Sequence, residues 1–338
     1  MELLLEREER VDGLVPSRKK KMQAVQLMGP REARLQECAI PEPGTGNVRI
    51  RLEGCGVCGS NLAPWEGRPW FKYPFNPGEP GHEGWGIVDA VGEGVTRIKP
   101  GARVAFLSYK SFAEYDVALE EAVVPLPKEL DGQPFPGEAL GCAFNVVRRC
   151  NIQPGQTVAV LGIGFLGAIV TALAVKAGAH VLAASRRPFA LEIAKAYGAA
   201  EVMPFPSREA VAQRIMELTK GRGCDQVIEA VGNQEALDLA TDVAAERGRL
   251  IIAGYHQDGM RQVNMQLWNW RGLDVINAHE RETRIYVEGI QLAAEAIARG
   301  NFDPTPLYTH SYALDEVDIA FEAMRTRPDR FLKALVIL

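Results

Sequence analysis

The sequence predicts an α/β chain in which a β-rich part is joined to a doubly wound parallel sheet. Short alternating strands, broken by Gly and Pro, fill the region from Met22 to about Asn145. From about Val146 short apolar runs alternate with helical stretches, the pattern of a parallel sheet with helices on both faces. Gly162-x-Gly164-x-x-Gly167 marks the turn where one of those strands enters a helix.

The elements can be taken in order. Val48-Arg49-Ile50-Arg51-Leu52 and Gly86-Ile87-Val88-Asp89-Ala90-Val91 alternate as half-buried strands do, and Pro100-Gly101 introduces Arg103-Val104-Ala105-Phe106. Val158-Ala159-Val160-Leu161, Val181-Leu182-Ala183-Ala184, Gln226-Val227-Ile228-Glu229-Ala230 and Leu250-Ile251-Ile252-Ala253 are short apolar runs expected as inner strands. Residues 189–197 and 208–220 are read as helices between them, followed by helices over 285–299 and 314–325 and a closing strand over 332–338. Residues 158–175 are apolar for about 18 positions, long enough for a membrane span, but three glycines interrupt them. A buried strand turning into a buried helix accounts for the same residues.

At 338 residues, 47% of them hydrophobic and 24% charged, the chain exceeds one typical core, so two domains are expected. A net charge of −5 supplies neither a nucleic-acid footprint nor a basic membrane patch. Six dispersed cysteines do not form a disulfide framework and fit a reducing, cytoplasmic setting. Cys38, Cys55, Cys150 and Cys224 are read as small buried hydrophobes, and Trp65, Trp70, Trp268 and Trp270 as core, pocket or interface residues. Glu2 precedes the short Leu3-Leu4-Leu5 run and the basic residues follow it, so residues 1–21 are read as an extension rather than a secretory leader.

In the glycine run, the first glycine allows the tight turn and the second the approach of a pyrophosphate. The third allows close helix–strand packing, and the helix N-terminus favours the anion. Gly162, Gly164, Phe165, Leu166 and Gly167 are therefore candidate cofactor contacts. An NAD site carries an acid about 20 residues further on. Here the second strand ends in Ala184-Ser185-Arg186-Arg187, with no acidic residue between Gly167 and Glu192. A hydroxyl and two guanidiniums suit a 2′-phosphate, so Ser185, Arg186 and Arg187 point to NADP(H) over NAD(H).

Cys58 in Gly-Val-Cys-Gly-Ser, His82 and Glu83 in Gly-His-Glu, and Glu138 in Gly-Glu-Ala-Leu supply a thiolate, an imidazole and carboxylates. Those are ligand types for a catalytic zinc with one open position. The joint order of these segments ahead of the glycine run resembles the zinc-dependent medium-chain alcohol and polyol dehydrogenases, over residues 22–338. The resemblance implies a GroES-like catalytic domain (22–145 and 275–338) and an inserted Rossmann domain (146–274). It implies one catalytic Zn²⁺ in the interdomain cleft, a small-molecule alcohol or carbonyl substrate, and a dimer or tetramer built through the Rossmann sheet edge.

Carried over, Cys58 and His82 match zinc ligands, and Glu83 matches the acid that can ligate or swing onto the metal. Glu138 matches the third ligand of the sorbitol-type branch, with Cys142, one helical turn on, as the alternative. Ser60 matches the hydroxyl that starts the proton relay. The four-cysteine lobe of a structural zinc is missing between His82 and Cys142. Asn61 stands where the family has Asp, and Ala63 replaces the relay histidine, so His256 is a candidate substitute. The function implied is hydride transfer between NADP(H) and a secondary alcohol or ketone, with a polyol, sugar or cyclitol as substrate. A zinc-free NADPH-dependent quinone or enoyl reductase, or a non-enzymatic nucleotide-binding protein, are the other readings of these residues.

Overall fold

The computed structural model describes residues 21–338. The expected N-terminal extension lies outside them apart from Lys21. An antiparallel pair, Lys21–Gly29 with Glu32–Ala39, opens the described chain.

Seven strands form a mixed sheet. Along it run Tyr308–Tyr312, Lys333–Ile337, Asn47–Val57, Glu83–Val91, Arg103–Phe106 and Val123–Pro125, with Tyr115–Leu119 paired to Asn47–Val57. The chain's last strand therefore lies beside one of its first, with Ala334 opposite Val57 and Val336 opposite Cys55. This return lets a C-terminal side chain reach residues contributed near position 80.

The second sheet is wholly parallel. Its order is Glu201–Pro204, His180–Ser185, Thr157–Leu161, Cys224–Glu229, Ala244–Ile252 and Asp274–Asn277. Val158–Leu161, Val181–Ala184 and Gln226–Glu229 of its inner strands are buried, which is why they read as apolar runs without alternation. The last strand extends past position 274, where the sequence placed the end of this region. The chain order reverses between Thr157–Leu161 and Cys224–Glu229, and ligands of such sheets bind outside the carboxyl ends at that switch point.

Two helices, Gly137–Cys150 and Thr283–Ala298, cross closely between the sheets. A Cβ on Gly141 would sit 2.7 Å from the Ile290 nitrogen, and one on Gly289 would sit 2.6 Å from the Gly141 carbonyl oxygen. Those glycines permit the crossing. One continuous apolar cluster, including Trp85, Leu140, Val158, Ile169 and Ile290, then joins both sheets through the helix pair. Among the described residues no helix is long and apolar enough to cross a membrane.

Candidate active site

A cleft of about 850 Å³ opens at the switch point. Gly164, Phe165, Leu166, Gly167, Ala230 and Val231 line it from the parallel sheet. Cys58, Ser60, His82, Glu83, Glu138 and Cys142 line it from the other side.

Cys58 follows the strand Asn47–Val57, and Glu83 begins the neighbouring strand, so sheet pairing brings their segments together. The donor atoms of Cys58, His82 and Glu83 all lie within 4.8 Å of one another. His82 Nδ1 donates to the Pro80 carbonyl at 2.9 Å, which leaves Nε2 as the ring's ligand atom, 3.4 Å from Ser60 Oγ. Asn61 does not supply the orienting carboxylate. Its Oδ1 accepts from the Cys58 amide at 2.9 Å and its Nδ2 donates to Pro80 O at 2.9 Å, tying the cysteine's turn to the loop that holds His82. Ala63 is buried and has no group to relay a proton.

The cluster is electronegative. Burial works against a charged His82, yet the hydrogen bond and charge of Cys58, then the carboxylates of Glu138 and Glu83, outweigh it and push the imidazole up to about 10. A site that stabilises a proton this strongly suits a metal cation in its place, and the S, N and O donors fit zinc.

Glu138 lies on the first turn of Gly137–Cys150 and lines the same cleft, but stands outside the tight trio. Enclosure, and next the charge of Glu138, push the Cys142 thiol well up, and it donates to Glu138 Oε1 at 3.1 Å. Glu83 is fully buried and is paired with Lys333, whose Nζ donates to Oε1 at 2.6 Å. The same ammonium lies 4.7 Å from the centre of the Phe165 ring. Sequence reasoning missed Lys333. The available signal was a lone cation inside the apolar run Phe331-Leu332-Lys333-Ala334-Leu335-Val336.

On the cofactor side, Gly162 has φ +96°, and a Cβ on Gly167 would sit 1.9 Å from Gly162 O. A Cβ on Gly164 would meet nothing within 4 Å, so open space faces this loop where a pyrophosphate would approach. Phe165 begins the helix Phe165–Lys176 and stacks on Tyr308 at 6.1 Å. At the end of the second parallel strand the three candidate residues differ. Ser185 is buried and accepts from the Arg187 amide at 3.2 Å. Arg186 is engaged by Glu235 and lies 5.3 Å from the Phe205 ring centre. Arg187 faces the cleft and donates to Ile163 O at 3.1 Å.

His256 sits in a hydrogen-bonded chain beside the cleft. Arg261 Nε donates to its Nδ1 at 2.9 Å, and its Nε2 lies 2.9 Å from Glu229 Oε2. A guanidinium keeps its proton, so Nδ1 accepts and Nε2–H donates to the carboxylate. Glu229 is wholly buried and also accepts from the Val231 and Gly232 amides at 2.7 Å each. With both nitrogens engaged, His256 anchors a cleft-wall loop.

Comparison with known proteins gives a consistent frame. A family profile described as alcohol dehydrogenase GroES-like domain matches residues 44–128, and one described as zinc-binding dehydrogenase matches residues 166–295. The chain is 26% identical to a sorbitol dehydrogenase of Bacillus subtilis (strain 168), over 93% of this chain and 97% of that one. It is 27% identical to a quinone oxidoreductase of Pseudomonas aeruginosa, over 75% and 78% of the two chains. Among solved structures, a candidate zinc-binding dehydrogenase of Sinorhizobium meliloti 1021 bound to NADP aligns with TM-score 0.81 at 26% identity, over 94% of this chain and 100% of that one.

Proposed function

Because this chain belongs to the zinc-type medium-chain alcohol and polyol dehydrogenases, we propose that its cleft exchanges a hydride between NADP(H) and a secondary alcohol or its ketone. The observation that carries the proposal is one cleft lined both by the Cys58, His82 and Glu83 donors and by the open face of Gly164. Cys58, His82 and Glu138 would hold the metal, with Glu83 beside them. When bound, zinc supplies Lewis-acid polarisation of the substrate oxygen, and the nicotinamide gives or takes the hydride.

The chain's own residues do the rest. Ser60, next to His82, accepts the proton of the substrate hydroxyl and passes it outward. The Pro80 carbonyl holds the His82 ring in the ligating tautomer. Lys333 neutralises Glu83, so a second buried carboxylate is tolerated beside the ligands. Cys142 steadies Glu138 by its thiol hydrogen bond.

For the cofactor, the strand His180–Ser185 ends without a carboxylate, and Arg187 presents a cation to the cleft. A dehydrogenase bound to NADP among the structural relatives supports the same choice. For the substrate, the sorbitol dehydrogenase relative supports a polyol, sugar or cyclitol. Trp70, Phe71, Phe75 and Tyr109 line the cleft, with the Tyr109 ring 5.9 Å from that of His82. Flat aromatic faces bury the C–H face of a ring while its hydroxyls stay free, which favours a cyclic substrate. Assembly through the exposed edge strand Asp274–Asn277 fits the 83% exposure of Trp270 beside it.

The test is an initial-rate screen of secondary alcohols, polyols and sugars with NADP⁺ and NAD⁺. Turnover of a hydroxyl substrate that depends on Cys58 supports the proposal. Reduction of quinones alone, unaffected by Cys58→Ala, sinks it.

A further inference from the structure

The loop 278–282 joins the strand Asp274–Asn277 to the helix Thr283–Ala298 and lines the cleft through Ala278, His279, Glu280 and Arg281. It is pinned at several points. The Ala278 amide donates to Ile252 O at 2.8 Å, and His279 Nε2 donates to Gly254 O at 3.1 Å. Tyr286, in the first turn of the helix, donates its hydroxyl to Glu280 O at 3.0 Å, and the Glu280 carboxylate pairs with Arg149 at 2.9 Å. A backbone held this firmly keeps the next side chain, that of Arg281, directed at the cleft.

The charges around Arg281 are matched, and its own is not. Glu280 pairs with Arg149, and Glu282 and Glu288 pair with Arg284. Arg281 is exposed, and among the described residues it has no carboxylate partner. Tyr286 shows which end of the cleft it faces. Enclosure, and next the charges of Cys142 and Glu138, push the Tyr286 hydroxyl up, while the charge of Arg281 opposes them. Coulomb forces fall with distance, so Arg281 stands at the end that holds Glu138 and Cys142. There Lys333 matches Glu83, and the Cys58 thiolate and Glu138 would match a divalent metal. Glu79, another acid of the lining, is engaged by the Asn76 side-chain and backbone amides at 3.0 and 3.2 Å. A guanidinium left over in this way is a fork of N–H donors suited to an anion, which neutral hydroxyls satisfy less well.

We infer that Arg281 is the specificity residue of this site, receiving an acidic end group of the substrate while the carbinol sits at Cys58, His82 and Glu138. The substrate is then a polyhydroxy compound that carries a carboxylate or a phosphate, not a neutral polyol. This role rests on the proposed hydride exchange and narrows its substrate. The acidic group is unchanged by the reaction: the hydride leaves the carbinol carbon for NADP⁺, the hydroxyl proton is released, and a ketone bearing the same acid remains.

Probes that differ only in the end group test it: glucitol, gluconate and glucitol 6-phosphate, and galactitol with galactonate. Titration calorimetry on the full chain loaded with zinc and NADP⁺ reads binding, and initial rates read turnover. An acidic probe should bind about tenfold or more tighter than its alditol, with the advantage in KM rather than kcat. Arg281→Gln should abolish that advantage, and Arg281→Lys should keep part of it, because the charge remains while the fork is lost. Arg281 is exposed and unpaired, so both variants should fold, and a melting curve checks that. A preference for the aldonates identifies a carboxylate, one for glucitol 6-phosphate a phosphate, and either supports the role. Alditols that bind as well as the acids, or an acid preference that survives Arg281→Gln, overturn it and leave the hydride exchange standing. Turnover confined to quinones would instead sink the dehydrogenase reading, and this role with it.

Discussion

Lys333, on the strand that closes the chain, forms a fully enclosed ion pair with Glu83, its Nζ 2.6 Å from Oε1. The two residues are separated by 250 positions, and only the return of the last strand to Asn47–Val57 brings them together. The pair sits between the metal-type donors and Phe165 of the glycine loop, so it ties the two halves of the cleft.

Removing one partner strands a buried charge. Lys333→Met should therefore cost about 3–5 kcal/mol in urea unfolding, and the double variant with Glu83→Gln should regain most of it. A loss under about 1 kcal/mol in the single variant would show that the pair is solvated and carries little.

Ser60→Ala tests the proton path. Turnover should drop about 100-fold while NADPH affinity, read by fluorescence, stays the same. An equal fall in both would mean that Ser60 shapes the cleft rather than moving a proton.

His256 has the opposite profile. His256→Leu should lose about 1–3 kcal/mol of stability, because Glu229 then lacks its ring N–H donor. The pH dependence of kcat should not move. A displaced pH profile would return His256 to the proton path.

Metal uptake should depend on pH with a definite sign. With His82 held up to about 10 in the metal-free protein, a metal has to displace its Nε2 proton. Affinity for zinc should rise about tenfold per pH unit for each displaced proton from neutral pH up to about 10, then level off. The metal-free fold gains from the protonated ring fully below its ordinary pKa of about 6.5 and loses that gain as pH rises through about 10. Zinc titrations in competition with a chelator at several pH values check the slope; a flat response contradicts it.

Much of this architecture is legible in the chain itself, for local reasons. Val158-Ala159-Val160-Leu161 and Gly162-x-Gly164-x-x-Gly167 write a strand, a turn and a helix start in consecutive residues, and the structure places them so. Cys58, His82 and Glu83 could be named from residue type and order, because the family resemblance carried the long-range pairing that spacing lacks. Lys333 was hidden for the converse reason: its partner is remote, and a cation in a closing strand reads as an exposed edge. Pro80 was hidden because its carbonyl, not its side chain, orients His82. The surroundings of His256 were hidden because a loop histidine looks free until Glu229 and Arg261, each distant or ambiguous in sequence, are seen on its two nitrogens. Arg186 and Arg187 read alike as neighbours, yet one is engaged by Glu235 and the other faces the cleft.

The Cys58, His82 and carboxylate donors are proposed to hold a catalytic zinc in an active dehydrogenase. Metal analysis of the purified chain, paired with alcohol oxidation before and after chelation, tests it most directly. About one zinc per chain is expected, with activity lost on chelation and recovered on adding zinc back. Trace zinc together with chelator-insensitive turnover would contradict it.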